Sequence, residues 1–84
     1  MKSRHSFDQL LSVIGAHLAD LRVKKGFSTI KEFAQHHDLP EIQYWRIEKG
    51  KANVTLKSLV RVLQIHDISL PDFFCVVTEV GNTR

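Results

Sequence analysis

Cysteine is nearly missing from this chain. Cys75 stands alone, so neither an internal disulfide nor a cysteine-pair metal site can form, and a reducing, cytoplasmic setting is expected. No apolar run approaches the roughly 18 residues of a membrane span. The polar, basic start MKSRHS lacks the apolar stretch of a secretory signal, and no membrane partner is expected. A Gly-rich phosphate loop and a nucleophile beside a base are both absent, and 84 residues leave little room to enclose a cavity. No enzymatic activity, cofactor or small-molecule ligand is therefore expected. His17, His36, His37 and His66 do not read as metal ligands: neighbouring histidines on a helix are expected to point apart, and His37 falls on an inward face as a satisfied core residue. Internal repeats and low-complexity segments are also missing.

What remains is ordinary for a folded protein, with 43% hydrophobic and 25% charged residues. The length suits one domain, residues 1–84, with a core over 7–75 and terminal extensions at 1–6 and 76–84. Twelve Lys and Arg against nine Asp and Glu give a net charge of +3. Its distribution says more than its total. From Arg46 to Arg61, Arg46, Lys49, Lys51, Lys57 and Arg61 face only Glu48, an excess of four, and the rest of the chain is slightly acidic. Clustered cations beside an exposed helix are the electrostatic footprint of phosphate binding.

Apolar spacing predicts an all-α chain of five helices. The first runs from about Phe7 to Lys25, with Phe7, Leu10, Leu11, Ile14, Leu18 and Leu21 as its stripe and Gly26 to end it. Gly15 inside it weakens the helix a little. The second opens at Thr29 with Glu32 three residues on, a capping box, and turns Ile30, Phe33, Ala34 and His37 inward. Asp38 suits the turn, and Pro40 starts the third helix where no amide donor is needed. At about 100° per residue, Tyr44 and Ile47 face in, whereas Ile42, Trp45, Arg46 and Lys49 gather on the other side. Glu48 falls inward, where an ion pair with Arg22 of the first helix is expected to fix the two helices together. Thr55 caps a fourth helix with a Leu56, Leu59, Val60, Leu63 stripe, and Ser69 with Asp72 caps a short fifth containing Phe73 and Phe74. For the VVTEV run beyond Cys75, more helix, a short strand and a frayed end all remain open.

Two short amphipathic helices joined by a tight turn and followed by a basic loop have the plan of a helix-turn-helix DNA reader. The segment Ile14 to Phe74 resembles the Cro and lambda-repressor-like helix-turn-helix family, often called the XRE family. The resemblance is carried by Leu21-Arg22, Glu32-Phe33-Ala34, Ile47-Glu48-Lys49-Gly50-Lys51, Asn53, Thr55 and Leu70 to Phe74. It implies a five-helix, lambda-repressor-like DNA-binding domain, usually dimeric, with Arg22 and Glu48 as an internal salt bridge and base reading from the start and middle of helix three. The chain departs from the family pattern at Ile30, Asp38 and Pro40, and carries one extra residue in the Gly26 to Thr29 loop.

Groove chemistry assigns the side chains. Glu41 is expected to accept from cytosine, Ile42 to touch a thymine methyl, Gln43 to pair with adenine and Arg46 to fork onto guanine. Lys49, Lys51, Asn53 and Lys57 are expected to hold phosphates of double-stranded DNA. A homodimer through helix five and the FFCVV stretch follows from the large apolar groups there. The expected function is transcriptional regulation, as a repressor. The alternative is an antitoxin or protein-partner-binding module built on the same helices.

Overall fold

The computed structural model describes the backbone of residues 3–81 and the side chains of residues 7–77. Among the described residues it contains five helices and no strand: α1 (Ser3–Lys24), α2 (Ile30–His36), α3 (Glu41–Glu48), α4 (Leu56–Ile65) and α5 (Leu70–Gly81). The architecture is all-α. Packing divides the chain into two units, one ending at Asn53 and the other starting at Val54.

The helix ends follow from local chemistry. Thr29 and Thr55 adopt extended backbone and accept the amides of Glu32 and Ser58 on their hydroxyls, at 3.1 and 3.0 Å. Ser69 does the same for Asp72 at 3.2 Å. Each hydroxyl satisfies one of the amides that a first turn leaves unpaired. Pro40 precedes α3 with ψ 115°, so it stands outside the helix, which starts one residue later than the sequence suggests. Four helices stop on one device, a left-handed residue at Gly26, Asp38, Gly50 and Asp67. After each, the next amide reaches back five residues to a carbonyl: Phe27 to Arg22, Leu39 to Ala34, Lys51 to Arg46 and Ile68 to Leu63. This is the Schellman ending, in which positive φ costs glycine nothing and is tolerated by aspartate.

In the first unit Ile14 and Leu18 of α1, Phe33 and Ala34 of α2 and Tyr44 of α3 are buried. The Phe33 and Tyr44 rings meet at 5.2 Å between centroids. Phe27, just past the end of α1, lays its ring edge-on against Phe33 at 5.4 Å. The α1 stripe does not stay buried toward the N-terminus: Phe7 is 48% and Leu10 38% exposed. The physical reason lies at α3, whose trailing end meets α1 at Ser12 and Gly15. The first turns of α1 project past that contact. The helix also begins at Ser3, four residues before its expected start, so residues 3–6 belong to it rather than to a terminal extension. Met1 and Lys2 lie outside the described residues.

In the second unit Leu59, Val62 and Leu63 of α4 and Phe73 and Val77 of α5 are buried. Val62 joins the stripe that the spacing assigned to Leu56, Leu59, Val60 and Leu63. Leu56 itself is 65% exposed, because it is in phase with the stripe but stands in the first turn, at its edge. The VVTEV run resolves as helix, carrying α5 to Gly81, and residues 82–84 lie outside the described residues. No helix among the described residues is long and apolar enough to cross a membrane.

Candidate functional site

The candidate surface is the outer face of α3 with the loop that follows it. Glu41, Ile42, Gln43, Trp45, Arg46 and Lys49 are all exposed. Ile42 at 76% and Trp45 at 42% are large apolar groups facing solvent beside two cations, an unusual arrangement for a helix this short. The opposite face carries Tyr44 and Glu48, both buried, and half-buried Ile47. The helix therefore divides as its 3.6-residue period requires.

Glu48 is held inward by Arg22. The Arg22 Nε donates to Glu48 Oε2 at 2.8 Å, and Nη2 donates to Oε1 at 3.2 Å. The remaining guanidinium nitrogen, Nη1, donates to the Phe27 carbonyl at 2.8 Å. One side chain of α1 thus fixes both the end of α3 and the turn leading to α2. The bond to Glu48 raises the Arg22 pKa, with burial opposing it. Beside them, burial raises the Tyr44 phenol well above its usual range, and the Glu48 carboxylate pushes it further. Glu48 is thereby kept off the exposed face, where its charge would oppose an anion.

A second contact fixes α3 more closely still. A Cβ placed on Gly15 would press into the Glu48 carbonyl oxygen and come within 2.6 Å of that of Ile47. The α1 backbone thus lies directly against the last turn of α3. Gly50, at φ 70°, packs its α-carbon against Ser12, where an added Cβ would meet the Ser12 α-carbon at 3.0 Å. Ser12, Gly15 and Arg22 share one side of α1, since spacings of three and seven residues return to the same face. Gly15 is the residue that sequence reasoning undervalued. A glycine inside a helix reads there as a weakness, although it also marks close backbone approach.

Three of the candidate residues come together at one place. Arg46, Lys51 and Asn53 line an open groove of about 450 Å³, together with Gly50 and Ala52. Phe7, Asp8 and Leu11 of α1 also line it. Glu41, Ile42 and Gln43 do not line it; they occupy the leading turn of α3. Lys49 is exposed as the residue that caps α3, and Lys57 is exposed on α4, in the second unit. The approach of α1 to the loop is tertiary, and no sequence signal announces that Asp8 lines the same groove as Arg46.

The histidines are arranged differently from the sequence expectation. The rings of His36 and His37 lie 4.7 Å apart rather than pointing away from one another, because His37 has left the helix as its C-cap. Both rest on Phe27, at 5.2 and 5.5 Å. His37 is half-buried, and its buried Nε2 makes no hydrogen bond with the described residues, so it is not a fully satisfied core histidine. Burial lowers its pKa, and His36 and Lys25 lower it further. Among the described residues no group of three or more His, Cys, Asp or Glu is gathered as a metal site.

No protein family, no curated protein and no solved structure matches this chain.

Proposed function

We propose that this chain is a helix-turn-helix DNA-binding domain that regulates transcription, acting as a repressor by occupying its site. The observation that carries the reading is the division of α3. Its carboxylate at Glu48 is locked inward on Arg22, while Ile42, Trp45, Arg46 and Lys49 remain on the solvent side. α2, the four residues from His37 to Pro40 and α3 then serve as the helix-turn-helix unit, with α3 entering the major groove. Glu41, Ile42, Gln43 and Arg46 read base edges, and Lys49, Lys51, Asn53 and Lys57 contact phosphates.

One such module binds weakly, and a dimer on a near-palindrome with reading helices about 34 Å apart supplies the specificity. Exposed Cys75 and Val76 on α5 support that helix as the dimer surface. The exposed Ile42 and Trp45 also favour a second reading, an antitoxin-like module that docks a protein partner through α3. Salt separates the two. With about five phosphates neutralised per protomer, the logarithm of DNA affinity falls with the logarithm of salt with a slope of roughly −4 to −5. Selection from random duplexes, followed by titration across salt concentrations, tests the proposal. Recovery of no preferred sequence and no salt-dependent binding would refute it.

A further inference from the structure

The groove beside α3 contains a charge of the wrong sign for phosphate. Asp8 of α1 lines it together with Arg46, Lys51 and Asn53. The other acids of α1 and α3 are differently placed: Asp20 pairs with Lys24 at 3.0 Å, Glu48 is taken up by Arg22, and Glu41 is exposed on the first turn of α3, outside the groove lining. Asp8 is exposed and belongs to neither pair. Phe7 and Leu11 also line the groove, so part of its surface is apolar and screens the carboxylate less than open water does.

We propose that Asp8 is an affinity-limiting residue: its carboxylate repels phosphate from the groove lined by Arg46, Lys51 and Asn53. This inference rests on the DNA-binding reading and adds a regulating residue to that site. The repulsion acts on the nucleic-acid backbone, which is the same for every sequence. It lowers affinity for all duplexes alike and leaves discrimination to the base contacts of α3.

The test replaces Asp8 by Asn and, as a larger step of the same sign, by Lys. Asp20→Asn is the control. It changes the net charge by the same amount, but Asp20 lies twelve residues further along α1. That is about 18 Å along the helix axis, beyond the Debye length of roughly 10 Å at 0.1 M salt. Two polyanions serve as probes: an arbitrary duplex, and immobilised heparin read by elution salt. A unit charge about 6 Å from phosphate, close to the water limit of the dielectric as suits an exposed carboxylate, corresponds to a change of about threefold.

Asp8→Asn is expected to tighten duplex binding by that factor at about 0.1 M salt and raise the heparin elution salt, Asp8→Lys to do more, and Asp20→Asn to do little. Equal effects of Asp8→Asn and Asp20→Asn on both probes would overturn the inference, since net charge alone would then explain them. So would duplex binding by the unaltered chain that Asp8→Asn leaves unchanged, a result that spares the DNA-binding reading. If no variant binds duplex, the DNA-binding reading falls and the inference that rests on it falls as well, whatever the heparin retention.

Discussion

Arg22 and Glu48, 26 residues apart in the chain, meet in a buried, two-point contact at 2.8 and 3.2 Å. A guanidinium presents two parallel donors that match a carboxylate, which fixes orientation as well as distance. The pair sets where the end of α3 lies along α1.

Removing one member strands the other. Arg22→Ala leaves the Glu48 carboxylate buried without its cation and is expected to cost about 3 to 5 kcal/mol. The double variant Arg22→Met, Glu48→Leu should recover much of that loss, because neither charge is then left alone. Urea unfolding of the parent and the two variants measures both values. A single variant as stable as the parent would mean that the contact contributes nothing.

Gly15→Ala tests the backbone contact. On an isolated helix the change stabilises by roughly 0.5 to 1 kcal/mol. Here the methyl collides with the carbonyls of Ile47 and Glu48, and the expected net effect is a loss of about 1 to 3 kcal/mol. A raised melting temperature would contradict the close approach.

Asp67→Gly should move stability the other way. Asp67 holds φ 61° just past the end of α4, where an L-residue is strained and a negative charge meets the negative end of the helix dipole. A gain of about 1 kcal/mol in thermal or urea unfolding is expected.

His37 gives the unit a pH dependence. Burial holds its pKa below the ordinary 6.5, so the unfolded chain takes up the proton more readily than the folded one. The stability this contributes is complete above pH 6.5 and is lost as pH falls through the lower, folded value. Melting temperatures between pH 8 and pH 5 should therefore decline toward acid, and His37→Gln should flatten the decline. An identical slope in parent and variant would remove His37 as its source.

Arg46→Ala and Lys51→Ala separate reading from holding. The first is expected to cost about 1 to 3 kcal/mol on a selected duplex and to relax preference at one base position, the second to weaken all duplexes alike. Trp45, the single tryptophan, stands on the same face of α3, so its fluorescence should report binding directly. Equal losses for Arg46→Ala on selected and random duplexes would contradict its assignment to a base.

The helices and the inward turn of Glu48 were legible because they are local: spacing, hydroxyl caps and the 3.6-residue period are written in consecutive residues. Arg22 as the partner was readable for a related reason, since a charge on an inward face demands one. What could not be read depends on where helices end in space. Phe7 and Leu10 share the spacing of Ile14 and Leu18, yet periodicity does not say how far a neighbouring helix reaches. Leu56 fails in the same way at the edge of the α4 stripe. His36 and His37 escaped because the helix stops between them, and one residue of helix decides where a ring points. Gly15 and Asp8 were invisible as contacts, because each matters through a segment more than thirty residues away.

α3 is secured from its inner side, by Tyr44, by Glu48 and by the carbonyls against Gly15, and none of these positions lies among Glu41, Ile42, Gln43 and Arg46. The leading outward side chains are consequently interchangeable as far as the scaffold is concerned. A library randomised at those four positions should stay folded, and new targets could be selected from it without redesigning the frame.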